Sequence, residues 1–408
     1  MRRVVVTGLG AVTPIGNNAK TFWENLIQGK NGIDKVTKFD TADFKATLAA
    51  EVKDFDPLLY MDKHSARKND LFTQYALAAA QDAIEDSGLE GKFDAERTGV
   101  YVGSGIGGIG TNCEEHQSLL EKGPRRVSPL FVPKMISNIA AGNIAIKYGL
   151  HGPNMSISTA CATGSHAIGE AFRAIRHGYA DTMIAGGSEA AITPLAFAGF
   201  INCMALSLSE DKDAASVPFD ARRNGFIMGE GAGILILEEY EHAVSRGAKI
   251  YCELAGYGST CDAYHITAPA PDAVWVAKAM KDALSEAELV GRTDIYVNTH
   301  GTSTPLNDKT ETMAMKKVFG DDAYKIHMSS TKSMTGHMLG AAGAVEAIAS
   351  IKAICEGIIP PTINYKEADA ECDINCTPNK AVKADISCAI SNSIGFGGHN
   401  ACLAFKKI

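Results

Sequence analysis

The feature that most constrains this chain is that it repeats itself. The strand-and-loop run Val5-Val-Thr-Gly-Leu-Gly10 returns as Glu253-Leu-Ala-Gly-Tyr-Gly258, and Tyr101-Val102 returns as Tyr296-Val297. Ser158-Thr159 followed by Thr163-Gly164 returns as Ser330-Thr331 followed by Thr335-Gly336, and Gly229-Glu-Gly231 returns as Gly395-Phe-Gly397. The four pairs keep their order while the separation between partners shrinks, as two copies of one module give when the first carries longer insertions. Strand-like apolar runs alternate with helical patterns, as in Val4–Thr7, Ala19–Ile27, Gly99–Val102 and Ala160–Ile175. That alternation predicts an α/β fold. The join falls near residue 250, which divides the chain into a first half, 1–250, with the longer insertions, and a second half, 251–408.

Composition narrows the function. With 39 Lys+Arg against 47 Asp+Glu and a net charge of −8, the chain lacks the positive balance that a phosphate backbone demands, so no nucleic-acid partner is expected. At 46% hydrophobic it can bury a large core. Its ten cysteines show no CxxC and no histidine-rich tract beside any pair, so neither a metal site nor a disulfide framework is signalled. The start, Met1-Arg-Arg-Val-Val-Val-Thr-Gly, has no signal-peptide apolar run, and the chain reads as cytoplasmic with reduced thiols. Ala190–Ser209 is free of charge over the length of a membrane span, but it contains Thr193, Pro194, Asn202 and Ser207; it reads as core or subunit interface, not as a membrane span.

The copies differ in their reactive groups. In the first, Met155–Thr159 reads as a strand, and Ala160-Cys161-Ala-Thr-Gly-Ser165 opens a helix reaching Ile175. A thiol there meets the unpaired N–H groups and positive dipole end of a helix N-terminus, which favour thiolate. That contribution is too small alone, because a free thiol is only about 3% thiolate at pH 7 and a dipole moves its pKa by less than about one unit. A partner such as histidine is needed. In the second copy, Ile295–Thr299 reads as a strand that delivers His300 at its carboxyl end, where α/β sheets keep their sites. Ser329–His337 then leads into a helix over Gly340–Ile354, matching the turn of Cys161. A pseudo-twofold axis would bring both histidines to Cys161.

Four motifs carry a resemblance. Ser158-Thr-Ala-Cys-Ala-Thr-Gly164, His300-Gly-Thr-Ser-Thr-Pro305, Thr331-Lys-Ser-Met-Thr-Gly-His337 and Asn392-Ser-Ile-Gly-Phe-Gly-Gly398 together resemble the β-ketoacyl-[acyl-carrier-protein] synthases, condensing enzymes of thiolase fold. The similarity runs from Arg3 nearly to the last residue and is greatest with the type II members of bacterial dissociated fatty-acid synthesis. It implies a duplicated αβαβα layered fold and acyl transfer from a carrier thioester to Cys161. Malonyl-carrier would then lose carbon dioxide, with His300 and His337 donating hydrogen bonds to the enolate, and the carbanion would attack the acyl group. By the same resemblance Cys161 and Phe396 offer the backbone N–H groups of a second oxyanion hole, and Phe396 doubles as a gate between Gly395 and Gly397. Lys332 pairs with Glu346.

The resemblance also implies that Thr302 and Thr304 hold the phosphopantetheine arm. Ile106, Phe200 and Phe396 would shape the acyl pocket. No cofactor of its own is implied, since phosphopantetheine comes on the partner, an acidic acyl carrier protein. Lys63, Arg67, Lys68, Arg125 and Arg126 are candidate docking cations, and a homodimer is implied. Met204, Ile394 and His399 depart from the usual residues of the rim and gate. Alternatives are a polyketide-type synthase, a non-catalytic chain-length partner, which would lack Cys161, and a cysteine hydrolase, which has no use for two histidines and a lysine.

Overall fold

The computed structural model describes all 408 residues. Its main sheet has ten strands. In the first half these are β1 (Val4–Val12), β2 (Thr98–Gly103), β3 (Asn154–Met155), β4 (Thr182–Glu189) and β5 (Gly231–Glu239). In the second they are β6 (Cys252–Cys261), β7 (Ile295–Asn298), β8 (His327–Ser329), β9 (Cys388–Gly395) and β10 (His399–Lys406). The spatial order is β8-β7-β9-β10-β6-β1-β5-β4-β2-β3.

The duplication is written into this order. β1 pairs antiparallel with β5, β5 antiparallel with β4, and β4 and β2 continue in parallel to β3. β6, β10, β9, β7 and β8 repeat that series with the same orientations. The halves meet where β1 and β6 pair at Val4↔Leu254, Val5↔Glu253 and Val6↔Cys252. Val5 lies opposite Glu253, its own counterpart in the repeat, so the pseudo-twofold axis passes between them. Even the irregularity is shared, with register breaks between Val6 and Gly8 in one ladder and at Ala404/Phe405, opposite Leu254–Gly256, in the other.

The helices used below are α1 (Leu71–Ser87), α2 (Thr163–Arg176), α3 (Pro194–Asn202), α4 (Val274–Glu286), α5 (Pro305–Phe319) and α6 (Ala342–Glu356). Three apolar cores hold five layers together, the central one enclosing the middle helices. α1 covers the outer face of the first half of the sheet through Val100, Val102, Ile184, Ile234 and Ile236. α4 and α5 cover the outer face of the second through Val297, Ile390, Cys402 and Ala404. Between the inner faces lie α2 and α6, packed on Met183, Leu235, Leu237, Ala389, Leu403 and Phe405. Strands buried on both faces read as continuous apolar runs, which is why Val4-Val5-Val6 shows no alternation.

The repeated Gly-x-Gly has a steric cause. A Cβ on Gly8 or Gly10 would meet the carbonyl oxygens of Ala83 and Ala79 at 2.1 and 1.9 Å, and one on Gly256 or Gly258 those of Ala283 and Ala279 at 2.1 and 1.8 Å. In both halves an outer helix lies directly on the glycines of the central strand.

One expectation changes. Met155–Thr159 is not a strand: only Asn154–Met155 pairs, and Ser156–Thr159 runs free of the ladder toward the turn of Cys161. The charge-free stretch Ala190–Ser209 holds the nine-residue helix α3, and no helix is long and apolar enough to cross a membrane.

Candidate active site

Cys161 sits on a tight turn, Ala160–Ala162, immediately before α2. Ala160 holds a left-handed backbone there, φ +50°, a strained conformation for a residue with a Cβ. The second half has the same device at Leu339–Ala341, with Leu339 at φ +47°, directly before α6. This corrects the sequence pairing. The counterpart of Cys161 is Gly340, because the second half inserts a short helix, Lys332–Thr335, between its Ser-Thr pair and that turn. The glycine loops also slip: Ile236 faces Gly8 as Ala404 faces Gly256, so Gly229 corresponds to Gly397, not Gly395.

The axis nevertheless brings the expected groups together. The Cys161 sulfur and one ring nitrogen each of His300 and His337 lie within 4.8 Å of one another. The two imidazoles stand nearly perpendicular, centroids 5.2 Å apart, and Phe226 meets His337 edge-on at 5.1 Å. Above them opens a cavity of about 320 Å³ lined by Cys161, His300, His337, Thr302, Thr304 and Phe396, among others.

Each ring is fixed through its backbone. The N–H groups of His300 and Gly301 donate to the two oxygens of Glu311, both at 2.8 Å. His337 exchanges backbone hydrogen bonds with Ile227 and Gly229, at 2.7 and 2.8 Å. Lys332, 1% exposed, is ion-paired with buried Glu346, so that pair does have the burial its expected role requires.

Burial sets the protonation states. It pushes the Cys161 thiol up to about 11, against the pull of the Phe396 N–H, Lys332 and its own N–H. Placement at a helix start therefore does not make a resting thiolate. Burial and the Lys332 charge hold His300 and His337 well below the usual imidazole range, so both are neutral at pH 7. Glu346 and Glu311 are each raised by burial to about 7.

The Gly395–Gly397 loop packs on Cys161. A Cβ on Gly395 would lie 2.8 Å from the Thr159 oxygen and 3.4 Å from the Cys161 nitrogen, so only glycine admits this approach. Phe396 is half-buried, 6.5 Å from Phe200, which in turn meets Phe226 at 5.5 Å. Phe200 and Ile106 do not line the cavity; Ile106 is 39% exposed. Thr302 and Thr304 share a hydrogen bond of 2.9 Å at its wall. Of the departures, Ile394 lines the cavity, Met204 stands 89% exposed at its rim, and the His399 ring lies under Gly397. Lys63, Arg67 and Lys68 are exposed on one short helix, and Arg125 and Arg126 on another exposed turn.

Sequence reading missed two buried carboxylates. Glu311 is the support of His300. Glu189 accepts from Ser104 Oγ (2.7 Å) and from the N–H groups of Gly105 (2.9 Å), Ile106 (3.2 Å) and Gly340 (3.0 Å). It thus ties the Ile106 loop of the first half to the turn after His337 in the second. The available signal was position: Glu189 is the one charge on a buried strand, and Glu311 falls on the covered face of α5.

Residues 1–243 match the family model of the beta-ketoacyl synthase N-terminal domain, and residues 251–366 that of the C-terminal domain. The chain belongs to the β-ketoacyl synthase family. This β-ketoacyl synthase is 52% identical to the 3-oxoacyl-[acyl-carrier-protein] synthase 2 of Synechocystis sp. over 100% of its own length and 98% of that protein. It is 51% identical to the enzyme of the same name from Staphylococcus aureus strain COL, again over 100% and 98%. Among solved structures it superposes on the ishigamide ketosynthase/chain length factor with a TM-score of 0.93 at 36% identity, covering 100% of this chain and 99% of that one. A type II polyketide ketosynthase solved with its acyl-carrier protein gives 0.91 at 38% identity, covering 100% of both chains.

Proposed function

We propose that this chain is the 3-oxoacyl-[acyl-carrier-protein] synthase of type II fatty-acid synthesis, lengthening an acyl chain by two carbons. The observation that carries the reading is the convergence of Cys161, His300 and His337 beneath one cavity, in a chain 51–52% identical over its whole length to proteins of that name.

Acylation begins from a thiol. With a pKa near 11, only about one sulfur in 10⁴ is ionised at pH 7, so attack on the carrier thioester is coupled to proton transfer onto a neighbouring neutral imidazole. The thioester bond to the carrier breaks, a bond to Cys161 Sγ forms, and the carrier leaves as its thiol. Malonyl-carrier then enters. Its bond to the carboxylate breaks, carbon dioxide leaves, and the electron pair passes to the thioester oxygen as an enolate. His300 and His337, being neutral, each donate an N–H to that oxygen without surrendering the proton. The enolate carbon attacks the acyl carbonyl on Cys161, whose oxyanion lies between the N–H groups of Cys161 and Phe396. Both N–H groups pull the thiol pKa down against burial, which supports this placement. Collapse expels the Cys161 thiolate, which takes up a proton, and releases 3-oxoacyl-carrier.

The Lys332 charge adds to burial in keeping both histidines uncharged, and Glu346 holds Lys332 in place through their buried ion pair. Thr302 and Thr304 hold the phosphopantetheine arm, which belongs to the carrier; the enzyme needs no cofactor of its own. Incubation with acyl-carrier alone is expected to add one acyl mass to the protein, and malonyl-carrier is expected to discharge it as a product two carbons longer. Hydrolysis to free acid without elongation would overturn the assignment in favour of a hydrolase. The polyketide reading is less favoured, because identity to the polyketide ketosynthases is 36–38%.

An acidic carrier docks on Lys63, Arg67, Lys68, Arg125 and Arg126, whose charges speed encounter more than they deepen affinity. Reversing Arg67 and Lys68 to glutamate is expected to raise KM for acyl-carrier about tenfold with kcat held, and to flatten its salt dependence. An unchanged KM would move the docking surface elsewhere. The enzyme works in the cytoplasm as a homodimer, joined at the exposed edge strand β3. A monomer mass in sedimentation would remove that last element.

A further inference from the structure

The three groups at the centre are also three metal donors. The Cys161 sulfur and one nitrogen from each imidazole lie within 4.8 Å of one another, and all three side chains are buried. A tetrahedral zinc site has Zn–S near ~2.3 Å and Zn–N near ~2.1 Å, which places its donors about 3.5 Å apart. The widest pair must therefore close by little more than about 1 Å, within reach of small side-chain rotations. No hydrogen bond resists this, because neither ring nitrogen of His337 has a partner, nor does Nδ1 of His300. Each uncharged imidazole has one lone pair, which the tautomer with its N–H on the far nitrogen turns toward the sulfur, and the cavity above leaves room for water in a fourth position.

We propose that Cys161, His300 and His337 form a binding site for one thiophilic divalent cation, of the zinc and cadmium class, whose occupation closes the active centre. On binding, the Cys161 S–H bond breaks and its proton passes to solvent. The sulfur, two nitrogens and one water fill four positions, and no electron is transferred. Thiolate and imidazole ligands select zinc-like ions over magnesium or calcium, which prefer oxygen. The cost is the charge of Lys332, which its ion pair with Glu346 offsets. No carboxylate backs either imidazole, and such partners are worth about 10- to 100-fold each in affinity. The site is accordingly a reversible, inhibitory one. Local spacing in the sequence cannot reveal it, since its donors come from both halves.

The test uses the free enzyme and Co²⁺ as a spectroscopic probe, read without turnover and hence independently of the synthase assignment. One Co²⁺ per chain is expected, with a thiolate-to-cobalt charge-transfer band and the strong visible bands of a tetrahedral ion, displaced by Zn²⁺ and not by Mg²⁺. Cys161→Ser is expected to lose the charge-transfer band although the exposed Cys203, Cys261 and Cys355 remain. His300→Ala and His337→Ala are each expected to bind at least tenfold more weakly. In the wild-type enzyme, which avoids any folding defect of the variants, Zn²⁺ is expected to slow iodoacetamide alkylation of Cys161 over the same concentration range. An unchanged band in Cys161→Ser, equal affinity in both histidine variants, or alkylation indifferent to Zn²⁺ would overturn the proposal.

Discussion

Cys161→Ala is expected to abolish condensation, lowering turnover by at least about 10⁴-fold, because the other thiol lining the cavity, Cys203, is exposed and is not grouped with the two imidazoles as Cys161 is. The acyl adduct should vanish from the mass spectrum of the protein at the same time. Malonyl decarboxylation is expected to survive, since its proposed donors, His300 and His337, are untouched and their rings are fixed from the backbone by Glu311 and by Ile227 and Gly229. This separation is the informative result. A variant that still elongates acyl chains at more than a trace would place the nucleophile elsewhere, and the mechanism would fall with it.

His300→Ala divides the reaction at the opposite point. Removing one preorganised donor from a developing oxyanion costs about 10²–10³ in rate. Carbon dioxide release from malonyl-carrier is expected to fall by that factor while acylation of Cys161 proceeds. The ring is 2% exposed and its backbone is anchored to Glu311, so the alanine leaves a cavity without releasing the loop. A melting curve separates that cavity's effect on stability from the loss of the donor, and His300→Gln, which keeps an N–H, should recover part of the rate. Normal decarboxylation by His300→Ala would leave no place for the imidazole in enolate stabilisation.

Much of this site was legible because its chemistry is tied to backbone positions. Cys161 lies among small residues where a strand path turns into a helix, and His300 at the end of a strand; both are local features that one copy of the repeat suffices to reveal. The alignment between copies was less legible. Ser330-Thr331 resembles Ser158-Thr159 in letters, yet the inserted helix Lys332–Thr335 makes Leu339–Ala341 the true match of the Cys161 turn. Glu189 and Glu311 escaped for another reason. Their work is to accept backbone N–H groups from residues that only tertiary packing brings near, and no spacing rule connects Glu189 with Gly340. The thiol's resting state also depended on the surroundings. A helix start favours ionisation by a fraction of a unit, whereas complete burial opposes it by more, and only the packed structure states which prevails.

The match of Cys161 with Gly340 bears on how such a molecule can change. Two identical halves associating as separate chains would be obliged to carry every reactive group twice, once in each of two equivalent centres. Here the twin of the nucleophile has been surrendered to contact: a Cβ on Gly340 would stand 2.4 Å from the Gly105 nitrogen. No single substitution can reopen that vacant seat, and the lineage is committed to one workshop per chain, with each half free to specialise.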